Sequence, residues 1–267
     1  MEELPQTLRE AVRDELRMGF RYPYTVLQVI VLNAVLVVLL WYFAPPKVEG
    51  LFFEIHSPAL FTVVLAGWMF SDVPSTNVLA SDVTRTLPAL RDRMMTLRLM
   101  NAKRIALWIL VAPVCSVLTF VMGYGNHHRF AQVIALCSIV ILPFGTLAIA
   151  GWVGIVWPYH PRSLRYRWRH RDNWFHDLVR WGVLVLLPYG LVPAVGVVLL
   201  APSLFVWSIR SEQQVLEVSS PPYLVLGIAL AAAMSAGGVI VGNRFGWRLI
   251  ERRRTALTHY LEHPELG

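Results

Sequence analysis

Five long stretches of the chain are almost wholly apolar: Tyr24–Phe43, Ile105–Tyr124, Phe130–Trp157, Trp181–Ile209 and Pro222–Asn243. A helix rising about 1.5 Å per residue needs about 20 such residues to cross the hydrocarbon core of a bilayer. Each stretch therefore predicts a transmembrane helix. A sixth lies between Leu51 and Ala80, with two candidate limits. Ending it at Ser71 leaves Glu54 and His56 near one interface. Starting it at Ala59 puts Asp72 inside the membrane, with Pro74 kinking the lower half. The second version is preferred, because Ser75, Thr76 and Asn77 are tolerable in a span where they face protein. Pro188, Pro193 and Pro202 are expected to break the fifth span, since proline is accepted in membrane helices where neighbours satisfy the freed backbone groups. The partly apolar stretch Ser203–Pro222 that follows is expected to form short re-entrant or interfacial helices. The pattern as a whole predicts an all-α polytopic membrane protein with six transmembrane helices.

Between the spans, two segments show helical periodicity with one polar face. Leu4, Leu8, Ala11 or Val12, and Leu16 recur at helical spacing opposite Glu and Arg. This predicts an amphipathic helix lying in the membrane interface ahead of the first span; a plain cap on the bundle fits the same spacing. In the loop Asp82–Arg104, Ser81, Asp82 or Thr84 could cap a helix that Leu87-Pro88 interrupts. Ala89–Met100 then continues with helical character into the third span. Leu90, Met94 and Leu97 would share one face, with Arg91, Asp92 and Arg98 on the other. Such a surface helix could dock on a soluble partner or lie in the interface without one. The domain organisation is a segment 1–23, a six-helix membrane region 24–243 and a basic tail 244–267.

Charge changes the picture by fixing an orientation. The 24 Lys and Arg residues are unevenly placed. Four lie before the first span (Arg9, Arg13, Arg17, Arg21), and six after the second (Arg85, Arg91, Arg93, Arg98, Lys103, Arg104). Six more follow the fourth span, from Arg162 to Arg180, and five follow the last, from Arg244 to Arg254. The alternating segments hold only Lys47, Arg129 and Arg210. A split of 21 to 3 across those segments places both termini in the cytoplasm by the positive-inside rule. The net charge of +7 therefore needs no nucleic acid; anionic inner-leaflet lipids attract the same residues. Only 15% of residues are charged and 56% are hydrophobic, against about 25% charged in soluble domains. A soluble enzyme is excluded on that ground. The first 23 residues mix Glu and Arg ahead of a full-length span, so the first helix is read as its own anchor, without a cleavable signal.

Candidate chemistry is sparse. No phosphate-binding G-x-x-x-x-G-K-[ST] loop, G-x-S-x-G elbow or H-E-x-x-H pair occurs. Cys115 and Cys137 lie within apolar runs and read as packing residues. His160, His170 and His176 fall in an Arg/Trp-rich loop without acidic or Cys neighbours at ligand spacing, so no metal is assigned. Trp168 and Trp174 of that loop suit the headgroup zone. Asp72 is the one acid expected inside a span, and such an acid is a functional candidate by default. Gln28 and Asn33 could line a cavity or bond to neighbouring helices. Gly238-Val239-Ile240-Val241-Gly242 is a GxxxG pattern, with Ala229, Ala232, Ala233 and Ala236 extending the small-residue surface; it signals close helix packing.

Two local stretches and the order of parts carry a resemblance. Thr76-Asn77-Val78-Leu79-Ala80-Ser81-Asp82, followed by Arg98-Leu99-Met100-Asn101-Ala102-Lys103-Arg104, looks like the segment around the coupling helix of actinobacterial permease-like proteins. Trp157-Pro158-Tyr159-His160-Pro161 and Leu186-Leu187-Pro188-Tyr189-Gly190-Leu191-Val192-Pro193 look similar to the same group. Together with an amphipathic helix leading into six spans, the chain resembles the type-2 ABC exporter permeases. The resemblance implies a homo- or heterodimer of membrane subunits bound to two separately encoded ATPase chains, which would carry the ATP and Mg; this chain itself would hold no cofactor. It implies a coupling helix formed by Leu87, Leu90, Arg91, Asp92, Arg93, Met94, Leu97 and Arg98. It further implies a cavity between protomers lined mainly by spans one, two and five, for which Gln28, Asn33, Asp72, Thr76 and Asn77 are the polar candidates. An ion-coupled carrier or channel centred on Asp72, and a structural membrane subunit of a larger complex, are the alternative readings. A topology reporter fused after Gly267 is expected to be active only if it functions in the cytoplasm; activity confined to the opposite side overturns the orientation.

Overall fold

A computed structural model of the chain describes residues 4–22, 24–43, 58–71, 73–124, 129–160, 174–208 and 221–263. Among them every regular element is helical: α1 (Leu8–Gly19), α2 (Thr25–Phe43), α3 (Pro58–Phe70), α4 (Val73–Thr76), α5 (Val83–Ala89), α6 (Arg93–Gly123), α7 (Arg129–Leu136), a π-helical turn (Cys137–Ile141), α8 (Leu142–Val156), α9 (Trp174–Ser208) and α10 (Pro221–Glu262). Five helical stretches are long and apolar enough to cross a bilayer: Thr25–Phe43, Arg93–Gly123, Ala131–Val156, Val185–Ser208 and Pro222–Glu262. Several spans carry large apolar side chains on their outer surface, such as Val31, Leu32, Val117, Phe120, Val197 and Val198. An apolar exterior on helices of this length is the build of a membrane protein.

The expected sixth span is shorter than its apolar run. α3 has 13 residues, about 20 Å of helix against the roughly 30 Å of a hydrocarbon core. It stops at Phe70, and Ser71 turns its hydroxyl back onto the Gly67 carbonyl at 2.6 Å. A single turn, α4, follows before the chain leaves helical geometry at Asn77. Pro74 contributes no backbone donor, and polar Ser75, Thr76 and Asn77 offer the backbone competing local partners. Among the described residues, the segment is thus a 13-residue helix followed by a single separate turn. Asp72 itself lies outside the described residues, as do Glu54, His56, Trp168 and His170.

The fifth span corrects the opposite expectation. Pro188, Pro193 and Pro202 all lie inside α9, which runs 35 residues without interruption. Most of the Ser203–Pro222 stretch, residues 209–220, falls outside the described residues; Ser203–Ser208 simply completes α9. The helix that carries the last span likewise does not end at Asn243. α10 continues 42 residues to Glu262, so the basic tail from Arg244 is the same helix. Its lower end folds into the bundle: Ile250, Leu257 and Leu261 are buried with Val78, Leu79, Ala80 and Leu90.

The tightest helix pair is α8 with α10. A Cβ on Gly238 would come within 2.9 Å of the Gly145 Cα, and one on Gly242 within 2.7 Å of the Ala148 Cβ and carbonyl oxygen. The GxxxG surface is therefore spent inside the chain, against small residues of α8. Ser235 sits in the same seam. Its hydroxyl donates to the Ile141 carbonyl at 2.7 Å and accepts from the Gly145 N–H at 3.0 Å. Those two groups are an i, i+4 pair, so a side chain from one helix bridges the backbone ladder of the other. The bridge falls where the π-helical turn gives way to α8 and Pro143 supplies no N–H. Nearby, the Trp108 indole N–H donates to the Val140 carbonyl at 2.9 Å. Backbone groups loosened by the irregular turn thus find side-chain partners in a setting without water.

Adjacent glycines in α10 are expected to respond with opposite sign. Nothing lies within 4 Å of a Cβ on Gly237, so Gly237→Ala should gain up to about 1 kcal/mol of helix propensity. Gly238→Ala should lose about 1–3 kcal/mol through overpacking. Thermal unfolding of the two variants in detergent checks this; equal shifts would contradict the seam.

Candidate functional site

The segment expected to couple to a partner is a corner between two helices. Asp82 caps α5, accepting from the Arg85 N–H at 3.4 Å and the Thr84 hydroxyl at 2.8 Å. Pro88 lies in the last turn of α5, and the chain turns through Leu90 and Arg91 to a second cap. There Asp92 accepts from the Met94 N–H at 2.8 Å and starts α6. The Thr96 hydroxyl reaches back to the Ala89 carbonyl at 2.6 Å and to the Asp92 carbonyl at 2.9 Å, stapling one helix to the other.

This geometry changes which residues are available. Leu90 does not share a helical face with Met94 and Leu97, because it precedes the Asp92 cap. It is a core residue, 1% exposed, and Leu87 is half-buried against the same cluster. Leu97 is half-buried too, and Arg98 donates to the Pro5 carbonyl at 2.9 Å. The outward part of the corner is Arg91, Asp92, Arg93 and Met94, with Met94 67% exposed.

Just inside the corner lie one buried and two half-buried cations. Lys103 donates to the Val78 carbonyl at 2.8 Å and to the Ser81 hydroxyl at 2.6 Å. Arg104, 5% exposed, donates to Asn101 Oδ1 at 2.8 Å, Asn243 Oδ1 at 2.6 Å and the Ala148 carbonyl at 3.4 Å. One guanidinium thus ties α6 to α8 and α10, using oxygens and, among the described residues, no carboxylate. Below it, Arg253 donates to the Ile155 carbonyl at 3.2 Å and to that of Val156, closing the end of α8. His160 Nε2 meets the Tyr260 carbonyl at 2.9 Å, its ring stacked on Tyr260 at 4.7 Å.

On the α1 side, Arg85 pairs with Asp14 at 3.7 Å and Asp82 at 3.5 Å. Glu15 faces the same group. Burial pushes its carboxyl above the usual 4.5, Lys103 pulls it back, and Asp82 pushes it up again. α1 is therefore fastened to the bundle by its acidic side.

The four cavity candidates among the described residues do not converge on one site. Gln28 is on the exposed face of α2. Asn33 is buried and accepts from the Tyr189 hydroxyl at 2.7 Å, joining α2 to α9. Thr76 is buried beneath α8, where a Cβ on Gly154 would overlap its carbonyl oxygen. Asn77 donates to the Tyr159 carbonyl at 2.8 Å. Asn33 and Asn77 thus serve two separate contacts between segments. Cys115 and Cys137 are free and buried, Cys115 against the Met69 sulfur at 3.8 Å.

In the sequence, Lys103 and Arg104 stand only as topology charges. The signal that could have marked Arg104 is Asn101 one turn earlier, together with Asn243 at the end of the last apolar run. No protein-family model matches the chain, and no curated protein or solved structure matches it either.

Glu15 makes the attachment of α1 dependent on pH. Because its folded-state carboxyl titrates above 4.5, its favourable contribution is complete below that pH and is lost as pH rises through the folded value. Relative to Glu15→Gln, the wild-type melting temperature is expected to fall as pH climbs from 4.5. Parallel melting curves for the two proteins would contradict a buried carboxyl there.

Proposed function

We propose that this chain is the membrane-embedded subunit of an ATP-driven exporter whose ATPase is a separate polypeptide. In this reading the chain crosses the membrane six times, with α3 and α4 together forming the second crossing and both termini in the cytoplasm. It works as a dimer of membrane subunits. The observation that carries the proposal is the Arg91–Met94 corner. It is exposed, sits at the end of the bundle rich in basic residues, and is rigidly joined to a helix that continues into the membrane. α6 has 31 residues from the corner to Gly123, about 46 Å of unbroken helix. A push on the corner is transmitted along α6, and Arg104 passes it to α8 and α10 within three turns. The Thr96 staple and the buried Leu90 keep the corner from yielding locally.

The ATPase supplies nucleotide binding, for which this sequence has no phosphate loop. The corner supplies two guanidinium groups and one thioether to a groove on the ATPase surface. Arg is suited to such contacts because its planar fork bonds carboxylates bidentately.

The double change Arg91→Glu with Arg93→Glu leaves the Asp92 cap intact. It is expected to abolish copurification of an ATPase chain and ATP-driven export into inside-out vesicles, with melting temperature preserved. An intact chain that purifies without any ATPase, and moves nothing with or without ATP, overturns the reading; transport driven by a proton gradient and lost in Asp72→Asn would replace it with an ion-coupled carrier.

A further inference from the structure

Charges on α1 are sorted by direction. Its two inward acids, Asp14 and Glu15, face Arg85 and Lys103. A third acid, Glu10, closes the capping box: its carboxylate accepts from the Gln6 and Thr7 N–H groups at 2.9 and 3.0 Å. Arg9, Arg13 and Arg17 recur every four residues on the opposite side, and all are exposed. Among the described residues no carboxylate pairs with any of the three. The row is about 12 Å long. The side of α1 that buries Ala11 is already taken by the bundle, so the arginines point away from the protein.

The position of the helix says what they meet. Only five residues separate Gly19 from Thr25, where the first span begins. Tyr24 adopts a left-handed conformation, φ 56°, and its N–H donates to the Arg21 carbonyl at 2.8 Å, closing a tight turn between the two helices. α1 is therefore held at the depth of the lipid headgroups. At its end Phe20 and Tyr22 are 59% and 86% exposed, and such aromatic rings settle at the membrane–water boundary. A cationic row flanked by aromatics at that depth matches the negative surface of a leaflet containing anionic phospholipid.

The geometry points to the outer face of α1, with Arg9, Arg13 and Arg17 at its centre, as a docking surface for anionic phospholipid headgroups. This inference needs only that the chain is embedded in a bilayer and is independent of the transport reading. Lipid phosphates bond the three guanidinium groups, while the acidic face holds the helix to α5 and α6. Anionic lipid therefore fixes α1 between bilayer and bundle.

A fluorophore at Gln6→Cys, next to the arginine row and away from the buried Cys115 and Cys137, reports the approach of α1 to headgroup-quencher lipids. The full chain is placed alone in vesicles of phosphatidylcholine, or of phosphatidylcholine mixed with phosphatidylglycerol. Quenching is expected to be stronger in the anionic vesicles and to weaken with added salt. Arg9→Gln, Arg13→Gln and Arg17→Gln together should reduce the lipid-bound population about fivefold per residue, on the order of a hundredfold in all. The triple Lys variant keeps the charge and should retain the effect. Equal quenching in both vesicle types overturns the proposal, as does an unchanged response in the Gln variant. An effect seen only after a soluble acidic protein is added overturns it in favour of a protein partner.

Discussion

The close approach of α8 and α10 is the contact on which the rest of the bundle depends. Membrane helices gain little from burying apolar surface, since lipid is as apolar as protein, so association rests on packing and on hydrogen bonds. Here both are concentrated in one seam. Gly145 against Gly238 and Ala148 against Gly242 let the backbones touch. Ser235 then bonds across the gap that Pro143 and the π-helical turn open in the backbone ladder. At the lower edge of the seam, the Trp152 indole donates to the Gly242 carbonyl at 2.9 Å. α9 lies beside this pair, with Ser203 donating to the Gly227 carbonyl at 2.8 Å. α2, α3 and α6 form a second apolar cluster that reaches it through Ile139 and Leu147.

At the basic end the logic is electrostatic. A cation leaving water is tolerable when its donors are met, and the chain meets most of them with neutral oxygens, the Arg104 Nε–H being the buried donor left without a partner among the described residues. Val78, Ala148, Ile155 and Val156 carbonyls, with Asn101 and Asn243 side chains, receive Lys103, Arg104 and Arg253. Backbone carbonyls at helix ends are in need of partners in any case. The same bonds that satisfy the cations therefore finish α8 and anchor the irregular turn after α4. Among the described residues, ion pairs with carboxylates gather at α1 and α5, where Asp14 and Asp82 meet Arg85 and Glu15 titrates.

Most of the fold was legible because hydropathy reports what a segment touches along its whole length. The five long apolar runs became five long helices, and the Leu4–Leu16 periodicity overlaps α1, whose Thr7/Glu10 capping box was not read from the sequence. Where the reading failed, the decisive partner was far away in sequence. Leu90 looked like a surface position because its local spacing matched Met94 and Leu97; its true neighbours, Leu257 and Leu261, lie more than a hundred and sixty residues on. α9 tolerates three prolines because of its surroundings, which no local rule contains. α3 stops at Phe70, and beyond it Asn77 bonds the distant Tyr159 carbonyl, a partner that local sequence does not show. The candidate corner was legible as a place but not as a surface, since burial by the tail decides which of its residues remain outside. Half-buried Lys103 and buried Arg104 were hidden for a related reason: composition shows their charge but not which oxygens wait for it.

α10 has a mechanical meaning beyond its packing. Its 42 residues form a rod about 63 Å long, gripped near its middle at Gly238 and Gly242 and free of any internal proline beyond its first turn. It is also held on either side of that grip, at Gly227 by Ser203 and at Arg253 by the end of α8. A rod fixed at three heights behaves as a tie-beam: it resists bending between its supports and keeps the apolar layer and the basic end of the bundle in one register.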